Sequence, residues 1–281
     1  MLGRAARSRS RFTGAAAARS VPPHRRALSA QAELPAQADV VVIGGGSIGS
    51  SVIYHLAKEH GVNAVLLESN KLTSGTTWHS AGLLWQLAGL LGSGDVDLHL
   101  SQYTKRLVQD TLPDEVGEWA GWTTTGSLFA CSSEDRLIAH DRVRTMAKAI
   151  AGVESHVVSP EEAKEIHPLI NSDDLVGCIH TPADGHIDPT AMVNAYIAGA
   201  KLHGAQIFED VSIASIEQEG GRVSGLTTSC GHELRTPVIV NCTGAWARRI
   251  GAMAGVCVPS SHFTSTTVVR RSLLRFSRPI G

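Results

Sequence analysis

An α/β fold built on a parallel sheet follows from three observations in one stretch of the sequence, residues 40–82. Val40 to Ile43 is an unbroken apolar run of the kind that forms a strand buried on both faces. Gly44-x-Gly46-x-x-Gly49 follows at once and opens a helical pattern with Val52, Ile53, Leu56 and Ala57 on one side. A second apolar run, Ala64 to Leu67, ends in Glu68, 19 residues beyond Gly49. Strand, glycine turn, helix and strand in this order make a Rossmann-like β-α-β unit.

The glycine turn has a specific physical logic. Gly44 permits a tight turn, Gly46 lets backbone approach a pyrophosphate, and Gly49 lets the helix pack closely on the strand. The helix N-terminus offers unpaired N–H groups and a partial positive charge, with Ser47 and Ile48 in its first turn as backbone contacts. A carboxylate at Glu68 can take the ribose hydroxyls of an adenosine and favours an unphosphorylated ribose, as in FAD or NAD. The same letters contain Gly45-x-Ser47-x-Gly49, the turn on which a hydrolase carries its nucleophile. That enzyme class reaches its turn after several strands, not after the first, and has no use for Glu68 at this spacing.

With 281 residues, 43% of them apolar and 18% charged, the chain reads as a soluble globular protein of one large or two modest domains. The formal net charge of −1 hides an asymmetry. Residues 1–30 hold seven Arg and no acid, residues 259–281 hold four Arg and no acid, and the body between them carries about −12. An acidic body argues against nucleic acid as a partner, because phosphate contacts need a basic face. Residues 1–30, rich in Arg, Ser and Ala and without an apolar run, predict a mitochondrial transit peptide, the alternative being a disordered basic tail. No later run reaches the ~18 apolar residues of a membrane span. Cys131, Cys178, Cys230, Cys242 and Cys257 are scattered without a CxxC and predict reduced, mostly buried thiols in a matrix-like compartment.

The remaining elements follow in order. Residues 31–37 read as a linker. Thr73 to Leu83, TSGTTWHSAGL, is dominated by small residues and hydroxyls, so its backbone can approach a ligand and Thr76 and Thr77 can donate to phosphate. Spacing alone leaves His79 open between a hydrogen-bonded structural histidine and a functional one. AGLLGSG (residues 88–94) reads as a glycine-rich surface insertion. His99 to Leu112 predicts an amphipathic helix, residues 121–131 an extended segment, and Glu134 to Ile150 a second helix. Ser159, Pro160, Glu161 and Glu162 start a short helix that Pro168 stops. His140, His156 and His167 lack metal-ligand spacing.

Leu175 to His180 is a predicted strand, and PADGHIDP a loop in which Asp184-Gly185 turns and Asp188-Pro189 begins a helix from Thr190 to His203. His186 is left open as a residue that could face substrate. Strands are predicted at 205–208, 211–217 and 223–226, with a turn at Gly220-Gly221 and a meander completed by 227–236. Residues 237–240 predict a buried strand ending in NCTGAWA, whose Thr243-Gly244 step brings backbone close to the first glycine turn. Asn241-Cys242-Thr243 has the letters of a glycosylation site, at a strand end where modification is not expected.

GGGSIG, VLLE, TSGTTWHSAGLLWQL, DGHIDP and VNCTGAWA together resemble the flavin domain of the sarcosine and dimethylglycine dehydrogenases, mitochondrial members of the D-amino-acid-oxidase-like flavoproteins. GLLWQL and GVESHVVSP tilt the resemblance toward the sarcosine enzymes. It covers residues 38–258 and implies a Rossmann-like FAD-binding domain with a parallel sheet, interleaved with part of an antiparallel-sheet substrate domain that is incomplete here. It implies FAD contacts at Gly44, Gly46, Ser47, Ile48 and Gly49, at Glu68 and Ser69, along Gly75, Thr76, Thr77, Trp78, His79, Ser80, Ala81, Gly82 and Leu83, and at Val211, Gly244 and Trp246. In that family the histidine of TTWH carries FAD covalently through the 8α-methyl carbon, which falls on His79. Val211 would pair its backbone with the adenine edge, and Trp246 would cover the flavin or pyrophosphate side.

The implied activity is oxidative demethylation of a small N-methyl amino acid in the mitochondrial matrix, with electrons leaving through an electron-transfer flavoprotein. Tetrahydrofolate would trap the one-carbon unit in a full-length relative. An oxygen-reducing flavin oxidase of the same fold and a truncated, non-catalytic relative are the rivals. Residues 259–281 depart from the family pattern and read as a divergent basic tail. That departure suggests a frameshift, a mis-spliced gene model or a truncated isoform.

Overall fold

The computed structural model describes residues 33–259, apart from 88–89 and 91–93. The predicted transit peptide, most of the AGLLGSG insertion and all but the first residue of the predicted basic tail lie outside the described residues.

The sheet is organised by strands that are buried on both faces. β1 (Val40–Ile43) and β2 (Ala64–Leu67) pair in parallel, Val41 opposite Val65 and Ile43 opposite Leu67. Outside them lie β9 (Gln206–Phe208), parallel to β2, and β13 (Ile239–Asn241), parallel to β1, for an order β13-β1-β2-β9. Side chains alternate across the sheet. Val42, Ala64 and Leu66 face α1 (Ser47–His60) and α6 (Pro189–Leu202), where Ile53, Tyr54, Ala57, Val193, Tyr196 and Ile197 close the core. Val41, Ile43, Val65 and Leu67 face the other way, onto Ile213, Ile216, Leu226, Leu234 and Ile250. Each such side chain contributes about 1.5–3 kcal/mol by leaving water, which is why these strands carry no polar letters.

The second layer is the antiparallel meander of β10 (Ile213–Glu219), β11 (Arg222–Thr228) and β12 (Glu233–Arg235), turned at Gly220-Gly221 as expected. Its free edge recruits part of the predicted linker. Ala38 N donates to Arg235 O and Arg235 N to Ala36 O, while His232 Nε2 contacts Pro35 O. Leu34 packs on the same cluster. An unpaired strand edge takes any chain that can supply backbone partners, and an apolar residue in the linker fixes which chain it is.

Four further expectations need correction. Val211 precedes β10 instead of starting it. β13 is half-buried, because among the described residues it is a sheet edge. GHI within the predicted loop is a strand, β8 (Gly185–Ile187), paired with β3 (Leu83–Leu84) on one side and β4 (Trp122–Thr124) on the other. Of the five thiols, only Cys131 and Cys178 are buried, while Cys230 and Cys257 are exposed.

The extended segment predicted at 121–131 breaks at Gly126 into β4 and β5 (Ser127–Cys131), which joins a separate sheet with β6 (His156–Val158) and β7 (Gly177–Thr181). One face of that sheet is covered by α4 (Glu134–Ala151), with Leu98, Ala147 and Ile179 in the shared core. Between β6 and β7, Ser159 and Glu162 form a complete capping box on α5 (Pro160–Ile166).

The helix predicted over 99–112 is longer and irregular. It runs as α2 (Asp95–Arg106), widens to a π turn at Leu107–Thr111, and ends as α3 (Leu112–Val116). Pro113 explains the widening. Proline lacks an N–H and its ring collides with the carbonyl four residues back, and the π turn passes Leu112 N to Leu107 O, five residues back, just ahead of it.

That bend brings Glu115 to α1 and α6. Its carboxylate accepts from Lys58 Nζ at 2.6 Å and Tyr54 OH at 2.7 Å, and pairs with His203 Nε2. Desolvation pushes the carboxyl up, but the bonds from Lys58, Tyr54 and His203 outweigh it and hold the carboxyl down at about 2. A depressed carboxylate stabilises the fold above its unfolded pKa and loses that contribution as pH falls through the folded one. Urea unfolding of Glu115→Gln should therefore show a loss of about 1 kcal/mol at neutral pH. The difference from the unsubstituted chain should close as pH is lowered from about 4.5 toward 2.

Candidate functional site

The carboxyl ends of β13, β1 and β2 meet at one end of the sheet, where parallel sheets place ligands. Gly44 leaves β1 with φ +109, and a Cβ there would stand 2.5 Å from Cys242 O at the end of β13. Gly49 comes closer still: a Cβ would lie 1.9 Å from Gly44 O. Only glycine at both positions lets the first turn of α1 lie against the strand end. Burial pushes the neighbouring Cys242 thiol up, which keeps it protonated.

The helix opening is left for something other than its own side chains. Gly46 is the N-cap, with extended backbone and no side-chain cap, so the first N–H groups point outward. Ser47 N donates to Thr77 Oγ1 at 3.0 Å. Gly45 N donates to Glu68 Oε2 at 2.7 Å, while Glu68 Oε1 accepts from Asn70 N at 2.8 Å and Ser69 Oγ at 3.2 Å. Glu68 thus stands at the end of β2 with its carboxylate aimed along the glycine turn. Val211 N donates to Glu68 O, which places Val211 beside it with its N–H already engaged.

The loop after Glu68 is held under strain. Thr73 has φ +66, a left-handed conformation that a β-branched residue rarely takes. It is buried and its N–H donates to Gly45 O at 3.1 Å. Lys71 bridges Glu209 and Asp210, and Leu72 N donates to Glu209 Oε1, so the loop is clamped to the chain after β9. Strain of this kind, about 1–3 kcal/mol, persists where surrounding bonds over-determine it.

Beyond Gly75, Thr77–His79 forms a single 3-10 turn, with His79 N bonded to Thr76 O and Ser80 N to Thr77 O. The rings of Trp78 and His79 stack 3.7 Å apart between centroids. His79 is exposed, and among the described residues its imidazole has no hydrogen-bond partner. Trp246, half-exposed in the turn Gly244–Trp246, lies against Gly75. A Cβ on Gly244 would meet nothing within 4 Å, so that step faces open space. Ser80 and Ala81 are exposed, and Gly82 and Leu83 run into β3, with Gly82 packed against Ile187 O. Ile48, Trp78, Leu83 and Trp246 leave an apolar surface uncovered around the turn.

Asp184 is the residue that sequence reasoning missed. Read as part of a turn, it is fully buried, accepting from Gln86 N and Nε2 on Oδ1 and from Ser127 Oγ at 2.6 Å on Oδ2. Its carbonyl accepts from Thr125 N and Gly126 N. It ties the segment after His79 to β5 and to the link between β4 and β5. The available signal was Gln86, an amide inside the apolar run LLWQL that needs a buried partner. Asp188 caps α6 through Thr190 N and Ala191 N, as expected. His186 is exposed on β8, and the Asn241 amide is engaged with Ala247 O and Thr243.

A helix start without a cap of its own, two glycines packed so closely on backbone that they admit no side chain, and a carboxylate at the end of the second strand fit a dinucleotide. Comparison with known proteins agrees. A family model described as FAD dependent oxidoreductase matches residues 39–279. Human mitochondrial sarcosine dehydrogenase is 46% identical over 231 residues, covering 80% of this chain and 24% of that protein. Human mitochondrial dimethylglycine dehydrogenase is 32% identical over 256 residues, covering 88% of this chain and 28% of that protein. Among solved structures, L-proline dehydrogenase from P. horikoshii superposes with a TM-score of 0.72 at 28% identity, covering 79% of this chain and 57% of that one. The chain thus spans about a quarter of the length of the curated relatives it matches.

Two substitutions test the frame of the site. Gly49→Ala drives a methyl into Gly44 O and should cost at least about 2 kcal/mol of stability, read by thermal or urea unfolding. Asp184→Ala strands the donors of Gln86 and Ser127 and should cost about 2–3 kcal/mol, with Asp184→Asn recovering part of it.

Proposed function

The chain belongs to the FAD-dependent oxidoreductase family, and on that premise we propose that it serves the oxidation of the N-methyl group of sarcosine, with FAD attached covalently at His79. The observation that carries the reading is His79 itself. Its imidazole is exposed and, among the described residues, has no hydrogen-bond partner, on a turn whose first threonine is bonded to the dinucleotide loop. A nucleophilic nitrogen held that way is free to form a bond that a satisfied histidine would not.

FAD, when bound, would supply the redox chemistry, serving as hydride acceptor for the oxidation of N–CH3 that ends in glycine and formaldehyde. This chain's residues hold and orient. Gly44, Gly46 and Gly49 make room for the pyrophosphate, and the N–H groups of Ser47 and Ile48 meet its charge. Thr76 and Thr77 donate their hydroxyls. Glu68 keeps a lone pair beyond its bonds to Gly45, Ser69 and Asn70, which takes a ribose hydroxyl. Val211 stands at the adenine end. Gly75, Ser80, Ala81, Gly82 and Leu83 line the approach with backbone, while Trp78, Gly244 and Trp246 flank the ring.

Sarcosine is preferred over dimethylglycine because the relatives named for it are the more similar, 46% against 32%. The same relatives are mitochondrial, and the Arg-rich residues 1–30 suit a transit peptide into the matrix. The FAD-dependent domain is assigned to residues 38–258. An electron-transfer flavoprotein is the proposed acceptor. Tetrahydrofolate belongs to the part of the relatives that this chain does not span.

The test is chemical. The full chain expressed with FAD should give a protein whose yellow colour stays in the pellet after acid precipitation, and His79→Ala should release it to the supernatant. Colour released from the unsubstituted chain would falsify the covalent assignment. Bleaching of the bound flavin by dimethylglycine in preference to sarcosine would reverse the choice of substrate.

A further inference from the structure

Helix α1 has no cap of its own, because its N-cap residue, Gly46, has no side chain. The Ser47 N–H is met instead by Thr77 Oγ1, a hydroxyl brought in from 30 residues along the chain. The fit is close: a Cβ added to Gly46 would stand 2.9 Å from that oxygen. Thr77 Oγ1 therefore meets the N–H of the first helical residue, a place that a phosphate oxygen takes in a dinucleotide site.

We propose that Thr77 is a positioning residue that couples occupation of the glycine loop to the orientation of the Trp78–His79 pair. The proposal rests on the reading of the loop as a pyrophosphate site. One N–H makes one well-directed hydrogen bond, so a phosphate oxygen that takes Ser47 N displaces Thr77 Oγ1 as its acceptor. The released hydroxyl still has its proton to donate and turns toward the same phosphate. Thr77 does not move alone. It begins the 3-10 turn closed by Ser80 N to Thr77 O and His79 N to Thr76 O, both 3.1 Å. The stacked rings of Trp78 and His79 travel with that turn. Loading the pyrophosphate end thus sets the imidazole at the other end of the site.

ADP is the probe, since it carries the pyrophosphate without the flavin ring. The full-length chain is labelled with fluorotryptophan, the Trp78 resonance is assigned by its loss in Trp78→Phe, and ADP affinity is measured separately by calorimetry. In the unsubstituted chain and in Thr77→Ser, the Trp78 resonance should shift in proportion to ADP saturation. In Thr77→Val, which loses one hydrogen bond to a charged phosphate, ADP should bind about 10- to 100-fold more weakly, and at matched saturation the Trp78 response is lost. Thr77→Ala gives the same readout if valine crowds the turn, and urea unfolding of each variant separates loss of coupling from loss of fold. A Trp78 shift in Thr77→Val and Thr77→Ala equal to that of the unsubstituted chain overturns the coupling. So does a Trp78 resonance in the unsubstituted chain that stays still at saturation. Failure of the unsubstituted chain to bind ADP is a different result: it overturns the pyrophosphate reading of the loop, and the coupling with it.

Discussion

Two residues without side chains decide where helix α1 begins. Gly49 rests so close to the carbonyl of Gly44 that a methyl group has no room, and Gly44 in turn lies against the carbonyl of Cys242. This contact chain joins the end of β1, the end of β13 and the first turn of the helix in a single layer. Everything said of the site depends on it, because the N–H groups of that turn face the crevice only while the helix axis meets the strand end at this distance. The two-sided burial of β1 and β2 supplies the rigid floor beneath it, with Val42 and Leu66 on one face and Val41 and Val65 on the other.

The parts of the fold that were legible in the sequence share a property: their cause is local. The apolar runs of β1 and β2, the glycine spacing, the Ser159–Glu162 capping box and the Asp188 cap each act within a few residues. What escaped is set by partners far along the chain. β8 reads as loop because its Gly-His-Ile letters carry no alternation, and it is a strand only because β3 and β4 lie on its two sides. The 31–37 segment reads as linker because nothing near it offers an edge, while Arg235 does. The helix expected to end at Leu112 runs on through Val116, because the π turn ahead of Pro113 makes room for the proline ring.

The site divides in the same way. Gly44, Gly46, Gly49 and Glu68 announce themselves by spacing, and the structure sets them together with Ser69 and Val211 through Glu68. Thr77 was read as a hydroxyl for phosphate, and its bond to Ser47 was invisible, since no rule of spacing connects residues 47 and 77. Asp184 was invisible for the opposite reason. A carboxylate followed by glycine has an ordinary explanation as a turn, and only burial among Gln86, Ser127 and the backbone of β4–β5 reveals its role. Local chemistry specifies the cradle, and long-range closure specifies how the histidine turn is hung from it.

The pairing of Val41 with Ile239 has a consequence for how the molecule is made. β1 meets β2 after a crossover made of the single helix α1, and its other neighbour arrives nearly two hundred residues later. The carbonyl that packs on Gly44 arrives with it. During synthesis at the ribosome, β1 keeps one edge unpaired until the chain has been extended through β13. Closing so long a loop costs more conformational entropy than the β1–β2 pairing does. The glycine turn is thus among the first segments of the domain to be translated and among the last to be locked.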